Sequence, residues 1–268
     1  MSRDGASTWA LHVSVPRTRI YGSGTLRLAD GSGQTVRMLS IGASGVTVDG
    51  ITLDGNRQNQ PPFPDNPQRH GVLIGSVADT TIRNVTSTGH AGDGYCITGD
   101  ATGTKFLGCR SADCERNGLT IGTGTIVSVL VDGCDLEATV QPVDSEPTSG
   151  SSTGVRVTGC QLRSTTGDYA ITATSGRDWI ISGNTLIGSI HIYEADGVVI
   201  VGNTIDARAS TQLHAVRHRA GGDLIVAHNH MRPAVDMYGL SFFDGLPERH
   251  ILGPNIIVLS GSGWEIVA

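Results

Sequence analysis

The amino-acid sequence predicts an all-β fold, a single-stranded right-handed parallel β-helix with about 8–10 coils of ~24 residues each. Three observations lead to this prediction. Glycine accounts for 37 of the 268 residues, and aromatic residues make up only 4%. No amphipathic run of about 10–12 residues indicates a helix. Apolar residues make up 38% of the chain, which is enough for a folded core, so the core must be assembled from many short elements.

A bend recurs where short apolar segments end in a Gly-Asn or Gly-Cys step, as in VLVDGCDL at 129–136 and VVIVGNTI at 198–205. Glycine and asparagine accept a positive φ, so these steps predict a repeated turn. We expect the next residue to point inward in a stacked ladder, with cysteines as small hydrophobes and asparagines bonded to one another. This ladder column holds Ile51, Val85, Cys109, Cys134, Cys160, Asn184, Asn203 and Asn229, at spacings of 34, 24, 25, 26, 24, 19 and 26 residues.

A second type of strand precedes these segments, for example HGVLIG at 70–75, NGLTIG at 117–122 and SIHIYE at 189–194. Its apolar residues alternate with the period of a strand. Two strands per ~24 residues without a helix exclude a βαβ fold, so successive units must stack in parallel, about 4.8 Å apart, with right-handed coiling. We divide the chain into N-terminal strands or a cap at 1–35, the β-helix at 36–245 and a C-terminal cap or tail segment at 246–268.

These turns, together with VTVDGITLDGNR at 46–57, resemble right-handed parallel β-helix proteins of the pectate-lyase-like superfamily. QPVDSEPTSG at 141–150 resembles the acidic rung of many β-helix repeat proteins, including phage tail-spike-like domains. The resemblance implies a polysaccharide-degrading or glycan-binding protein. The superfamily includes lyases, glycoside hydrolases, epimerases, adhesins and phage spikes, so the fold does not choose among them. The D-P-H, paired N-T-D and G-H-G, and R-x-P-x-x-R motifs of particular subfamilies are absent from the sequence.

Composition restricts the partners and cofactors. Nineteen Lys and Arg against 25 Asp and Glu give a net charge of −6 without a basic block, which argues against nucleic acid. No apolar run is long enough to insert into a membrane, and no signal peptide is visible. The five cysteines lack the spacing of a disulfide framework or a zinc site. The resemblance implies an extracellular or virion-associated protein that acts on a polysaccharide or cell-surface glycan; a homotrimer would protect the coil ends.

The candidate catalytic residues lie on the predicted outward face of the second strand type. Asp144 and Glu146 are two residues apart and point to the same side, with α-carbons roughly 6.6 Å apart. Carboxyl separations of about 5–9.5 Å serve both retaining and inverting glycosidases. We therefore predict this pair as general acid and as base or nucleophile, assisted by His191 and Tyr193 two rungs along. The alternative is an exposed acidic rung or a Ca²⁺ site; no other cofactor or metal is expected.

Further residues on or near the same face are predicted to bind substrate, between groove walls formed by the loops at 56–69 and 147–153. They are Arg57, Arg69, His70, His90, Asp93, Thr98, Thr120 and His218. The same alignment places Ile171, Ala173 and Val216 outward. Because few basic residues accompany them, we favour a hydrolase over a lyase, which must neutralise a uronate. The alternative is a non-enzymatic glycan-binding or receptor-binding spike, or an adhesin domain.

Overall fold

Each coil of the computed structural model consists of three short strands. The structure describes residues 8–32, 36–61, 69–147, 149–212, 214–234, 238–242, 249–258 and 265–267. They form a right-handed parallel β-solenoid of about nine turns, with coils of about 26 residues. The predicted fold is confirmed. The mean coil is longer than ~24 residues because the coil between Ile51 and Val85 alone takes 34.

The first strand of each coil stacks in parallel on its counterpart, and these strands form face 1. They are β1 (Thr8–Val13), β4 (Val36–Ile41), β7 (Val72–Ile74), β10 (Tyr95–Ile97), β14 (Leu119–Ile121), β17 (Val143–Ser145), β20 (Tyr169–Arg177), β23 (Ser189–Asp196), β26 (His214–His218) and β29 (Tyr238–Phe242).

The second strands form face 2, which shares hydrogen bonds with face 1. They are β2 (Arg19–Tyr21), β5 (Thr47–Asp49), β8 (Thr81–Arg83), β11 (Ala101–Thr102), β12 (Lys105–Leu107), β15 (Gly124–Asp132), β18 (Gly150–Thr158), β21 (Ile180–Ser182), β24 (Val198–Val201), β27 (Leu224–Ala227) and β30 (His250–Leu252).

The third strands form face 3, a separate sheet that begins just after the repeated bend. They are β3 (Thr25–Arg27), β6 (Thr52–Asp54), β9 (Thr86–Thr88), β13 (Arg110–Ala112), β16 (Asp135–Ala138), β19 (Gln161–Ser164), β22 (Thr185–Ile187), β25 (Thr204–Ala207), β28 (His230–Pro233), β31 (Ile256–Val258) and the antiparallel β32 (Glu265–Val267).

Sequence reasoning missed face 3 because most of its strands are three or four residues long. Such a strand sends only one or two side chains inward, such as Leu53 in β6 and Leu186 in β22, and this is too short for a period of two to be recognised. The only helical segment in the described part of the chain is a 3₁₀ turn at Arg57–Asn59. Within the described ranges, no helix has the length and apolar character needed to cross a bilayer.

The predicted bend is present at all eight predicted positions. The residue before each ladder position has a φ between 51° and 77°, including the two non-glycine residues Asn84 and His228. The ladder residues themselves are buried. The predicted domain boundaries stay predictions, and they fall partly on residues outside the described ranges. The strands β1–β3 already stack in register on β4–β6.

Four stacked asparagines hold the second half of the solenoid together. Each backbone N–H donates to the side-chain Oδ1 of the asparagine on the next rung, at 3.0 Å in every case. The three bonds run from Asn184 to Asn203, from Asn203 to Asn229 and from Asn229 to Asn255. The Nδ2 of Asn184, of Asn203 and of Asn229 also donates to the Oδ1 of the next asparagine, and to a backbone carbonyl of the preceding coil. Asn255 was not identified from the sequence, and it terminates the ladder.

Replacing the central rung of this ladder should destabilise the fold. Asn203→Ala leaves the N–H and Nδ2 of Asn184 without their acceptor, and a buried unsatisfied group costs about 1–3 kcal/mol. We expect the free energy of unfolding, measured by urea denaturation, to fall by about 2–3 kcal/mol. The exposed Gln161→Ala in β19 is the control and should change it by less than about 0.5 kcal/mol. Equal effects of the two substitutions would contradict the ladder's role.

Candidate functional site

One outward-facing column runs the length of face 1, and we call it the groove floor after the lateral groove that the sequence predicts on this face. Its neighbours on either side along each strand point inward. The column holds His12, Ser40, Leu73, Cys96, Thr120, Asp144, Thr172, His191, Arg217 and Ser241. Its two ionisable candidate catalytic residues are buried: Asp144 is 5% exposed and His191 is 7% exposed.

The register corrects three predicted outward positions in β20 and β26. Ile171, Ala173 and Val216 are fully buried in inward columns, and Thr172 and Arg217 face outward in their place. The segments DYAITA and HAVRHR lack a clear alternation, so their phase could not be read from the sequence. In addition, β20 carries an irregularity between Tyr169 and Ile171 that shifts the register by one residue.

His218 is likewise misassigned as a groove residue. It pairs with Ile192 in the inward column and is 1% exposed, so its imidazole lies within the coil. His90 is also internal: its Nε2 lies 3.2 Å from the carbonyl of Leu53, and burial lowers its pKa to about 4. Neither imidazole can contact a glycan in the groove.

Asp144 and Glu146 meet where β17 crosses the groove floor. Asp144 accepts a hydrogen bond from Asn117 Nδ2 at 3.1 Å, and the carboxyl group of Glu146 is near enough to raise the pKa of Asp144. Burial, followed by the negative charges of Glu146 and Asp93, raises the pKa of Asp144 to about 7. Two neighbouring carboxyl groups cannot both ionise easily, so the pair retains a proton near neutral pH.

Glu146 is the exposed member of the pair, and it forms an ion pair with Arg116. Nη2 of Arg116 donates to Glu146 Oε1 at 2.8 Å. The guanidinium is only 19% exposed and its Nε lies 3.7 Å from Asp93 Oδ1. Arg116 therefore links the exposed carboxylate to a fully buried one.

A polar column lies beside the acidic pair, in the turns before four successive strands of face 1. His70, Asp93, Asn117 and Gln141 occupy equivalent places on successive coils, one residue before Gly71, Gly94, Gly118 and Pro142.

Backbone N–H groups join this polar column: that of Asp93 faces His70 Nδ1 at 3.2 Å and that of Asn117 donates to Asp93 Oδ1 at 3.1 Å. Burial acts to raise the pKa of Asp93, but His70, Arg116 and the Asn117 amide more than offset it, and the pKa is lowered. Sequence reasoning singled out His70 and Asp93 but missed Arg116 and Asn117. The repeated HG, DG and NG pairs were the available signal.

A second cluster, the aromatic-cationic cluster, lies further along the groove. His191 stacks on Tyr169 with ring centroids 5.3 Å apart and meets Tyr193 edge-on at 5.5 Å. The Arg219 guanidinium covers the Tyr193 ring at 4.1 Å. Burial, and then the positive charge of Arg217, lowers the pKa of His191 to about 4, so its imidazole is neutral near pH 7. The structure thus brings His191 and Tyr193 together, beside Arg217 and Arg219.

The remaining predicted substrate-binding residues occupy different environments. Thr120 is in the outward column, where its Oγ1 accepts from Asn117 Nδ2 at 2.9 Å, and Thr98 is half-buried after β10. Arg57 forms ion pairs with Asp113 and Glu115. Arg69 is 2% exposed, and burial lowers its pKa to about 10. Of the predicted loop walls, 62–68 and 148 lie outside the described residues.

Comparison with solved structures supports the fold. The A-module of the mannuronan C-5 epimerase AlgE4 from Azotobacter vinelandii is similar with a TM-score of 0.61 and 15% identity, over 94% of this chain and 85% of that module. The GH136 lacto-N-biosidase from Eubacterium ramulus is similar with a TM-score of 0.50 and 9% identity, over 84% of this chain and 51% of that chain. The sequence matches no protein-family model and no curated protein. At these identities the similarity shows a parallel β-helix and does not specify a reaction.

The environment of Asp144 predicts a stability change with a defined pH dependence. The folded chain holds this proton more tightly than the unfolded chain, so stability is lost as pH rises from about 4 through about 7. Asp144→Asn should therefore raise the free energy of unfolding at about pH 8, on the order of 1–4 kcal/mol, and change it little at about pH 4.5. Urea denaturation at the two pH values measures this. An equal change at both would contradict the raised pKa.

Proposed function

We propose that this protein is a carbohydrate-active enzyme that cleaves a glycosidic bond of a polysaccharide lying in the lateral groove. The single observation that carries the proposal is the acidic pair on the groove floor: a buried Asp144 whose pKa is raised to about 7, beside the carboxylate of Glu146. Two carboxyl groups with environments that separate their proton affinities are the usual arrangement for acid and base roles on one substrate.

In the proposed hydrolysis, Asp144 donates its proton to the glycosidic oxygen as the bond to the anomeric carbon breaks. Water adds to that carbon, and the Glu146 carboxylate either accepts the water's proton directly or first forms a glycosyl ester that water then hydrolyses. Arg116 supplies positive charge beside Glu146 at 2.8 Å, so the proposed chemistry at this pair does not need a Ca²⁺ ion.

The separation of the two carboxyl groups places a condition on this mechanism. Retaining glycosidases separate their carboxyls by about 5–5.5 Å and inverting enzymes by more. The proposal therefore requires Glu146 to adopt one of these separations from Asp144 when a sugar is bound. Its side chain is 45% exposed and therefore has room to do so, whereas Asp144 is fixed by Asn117.

A lyase is the second candidate, and the position of Arg217 favours it. This residue occupies the outward column next to His191, and Arg219 lies two residues further along the same strand direction. Guanidinium groups can neutralise a uronate carboxylate and so acidify the adjacent C–H for β-elimination. The structure therefore places more basic residues at the groove floor than the sequence predicts, which weakens the sequence-based preference for a hydrolase.

The aromatic-cationic cluster supports a sugar-binding role on the same groove floor. Tyr193 and Tyr169 are half-buried, and His191 Nε2 is buried without a hydrogen-bond partner among the described residues. A neutral imidazole near Arg217 and Arg219 is a poor proton acceptor, so we assign His191 to binding and not to base catalysis.

Two similar structures are named for carbohydrate activities, a mannuronan epimerase and a lacto-N-biosidase. This supports a glycan substrate by fold analogy only. A glycan partner outside the cell or on a virion surface follows as part of the proposal.

Incubation with a panel of polysaccharides tests the proposal. New reducing ends without unsaturated-uronate absorbance indicate hydrolysis, and both signals together indicate elimination. Asp144→Asn and Glu146→Gln should each lower the rate at least about 100-fold, because a positioned acid or base contributes roughly 10²–10⁴-fold.

The matched control is Glu137→Gln on face 3, which also removes a carboxylate paired with an arginine, Arg163. It should leave the rate unchanged. Tight glycan binding with no cleavage would contradict the enzyme and support a glycan-binding spike or adhesin. Full activity in Asp144→Asn would remove this residue from the site.

Truncating the aromatic platform should weaken substrate binding more than turnover. Tyr193→Ala is expected to raise KM about 5- to 10-fold with a smaller change in kcat, since an aromatic contact contributes roughly 0.5–1.5 kcal/mol. The control is Tyr21→Ala, at a tyrosine that is 81% exposed on face 2. A loss of kcat at unchanged KM would contradict a binding role for Tyr193.

A further inference from the structure

A buried cluster of three different ligand types lies beside the groove floor, two rungs before Asp144. One atom from each of His70, Asp93 and Cys96 lies within 4.8 Å of the other two. The residues are 1%, 0% and 7% exposed. Cys96 belongs to the outward column, whereas His70 and Asp93 belong to the polar column, so the stacking of two coils brings the three together from one strand and two turns.

The two oxygens of Asp93 are used differently. Oδ1 accepts from the Asn117 backbone N–H at 3.1 Å and faces Arg116 Nε at 3.7 Å. Oδ2 is buried without a hydrogen-bond partner. It lies 3.1 Å from His70 Nδ1, and that nitrogen is also 3.2 Å from the backbone N–H of Asp93, which can only donate.

A metal ion would give the buried Asp93 Oδ2 a partner, and His70 Nδ1 lies 3.1 Å from this oxygen, about the separation of neighbouring ligand atoms around a tetrahedral ion. The Cys96 sulfur completes three sides of such a site. A nitrogen, an oxygen and a sulfur ligand together favour Zn²⁺ over Ca²⁺ or Mg²⁺, which prefer oxygen alone.

We propose that His70, Asp93 and Cys96 bind one Zn²⁺ ion beside the groove floor, at a site separate from the acidic pair. The fourth position is left to water or to a group entering from the groove. Because Cys96 must bind as a thiolate, uptake of the ion releases a proton and strengthens as pH rises. Asp93 also contacts Arg116 and Asn117, so the ion would fix the residues that hold Glu146 and Asp144.

Metal content tests this proposal without any assay of activity. The full chain is produced in zinc-supplemented medium and separately refolded with Zn²⁺, because the site is buried, and is then passed through a desalting column. We expect about one zinc per chain by elemental analysis, and a higher Tm with Zn²⁺ than with a chelator. Replacement by Co²⁺ should give a thiolate-to-metal charge-transfer band in the near ultraviolet.

Cys96→Ser should abolish the charge-transfer band and weaken Zn²⁺ binding at least tenfold, and His70→Gln should weaken binding similarly. Cys160→Ser is the matched control, because it removes another buried cysteine that lies outside the cluster. It should retain one zinc per chain. Wild-type protein with less than about one-tenth zinc per chain, or a Co²⁺ spectrum without the thiolate band, would overturn the proposal even if the Cys96→Ser variant failed to fold.

Discussion

The parallel hydrogen bonds that join each coil to the next are the interaction on which the rest of the molecule depends. They fix the register, so residues at equivalent places on successive coils become neighbours about 4.8 Å apart. The asparagine ladder reinforces this spacing from inside the bend, because each backbone N–H of Asn184, Asn203 and Asn229 has its acceptor on the following rung. A sequence repeat is thereby converted into columns of stacked side chains.

The functional features lie on two such columns. Along the groove floor, Cys96, Asp144 and His191 mark three successive environments: a mixed-ligand cluster, an acid that retains its proton, and an aromatic-cationic cluster. The polar column behind the floor connects the first two, through Asp93 and its contacts to Arg116 and Asn117. Burial is what gives Asp144 its raised pKa, and it is supplied by the same stacking that holds the fold.

Much of the fold and part of the site could be predicted from residues alone. The bend before Cys134 or Asn203 recurs often enough to identify the solenoid, and the spacing of Asp144 and Glu146 places both on one face. The phase of β20 and β26 could not be predicted, because an apolar run such as YAITA fits either face and a register shift follows Tyr169. Arg116 was missed because its importance comes from contacts with Asp93 and Glu146, which lie 23 and 30 residues away in the chain.

The protonation state of Asp144 is the central claim, and a carbon-13 NMR titration of the side-chain carboxyls measures it directly. The Asp144 signal is assigned as the one absent from the Asp144→Asn spectrum. A titration midpoint near 7 is expected, because burial and the adjacent carboxylate of Glu146 raise the pKa of Asp144. A midpoint near the ordinary aspartate value of about 3.9 would show an ionised carboxylate at neutral pH and would contradict its role as the acid.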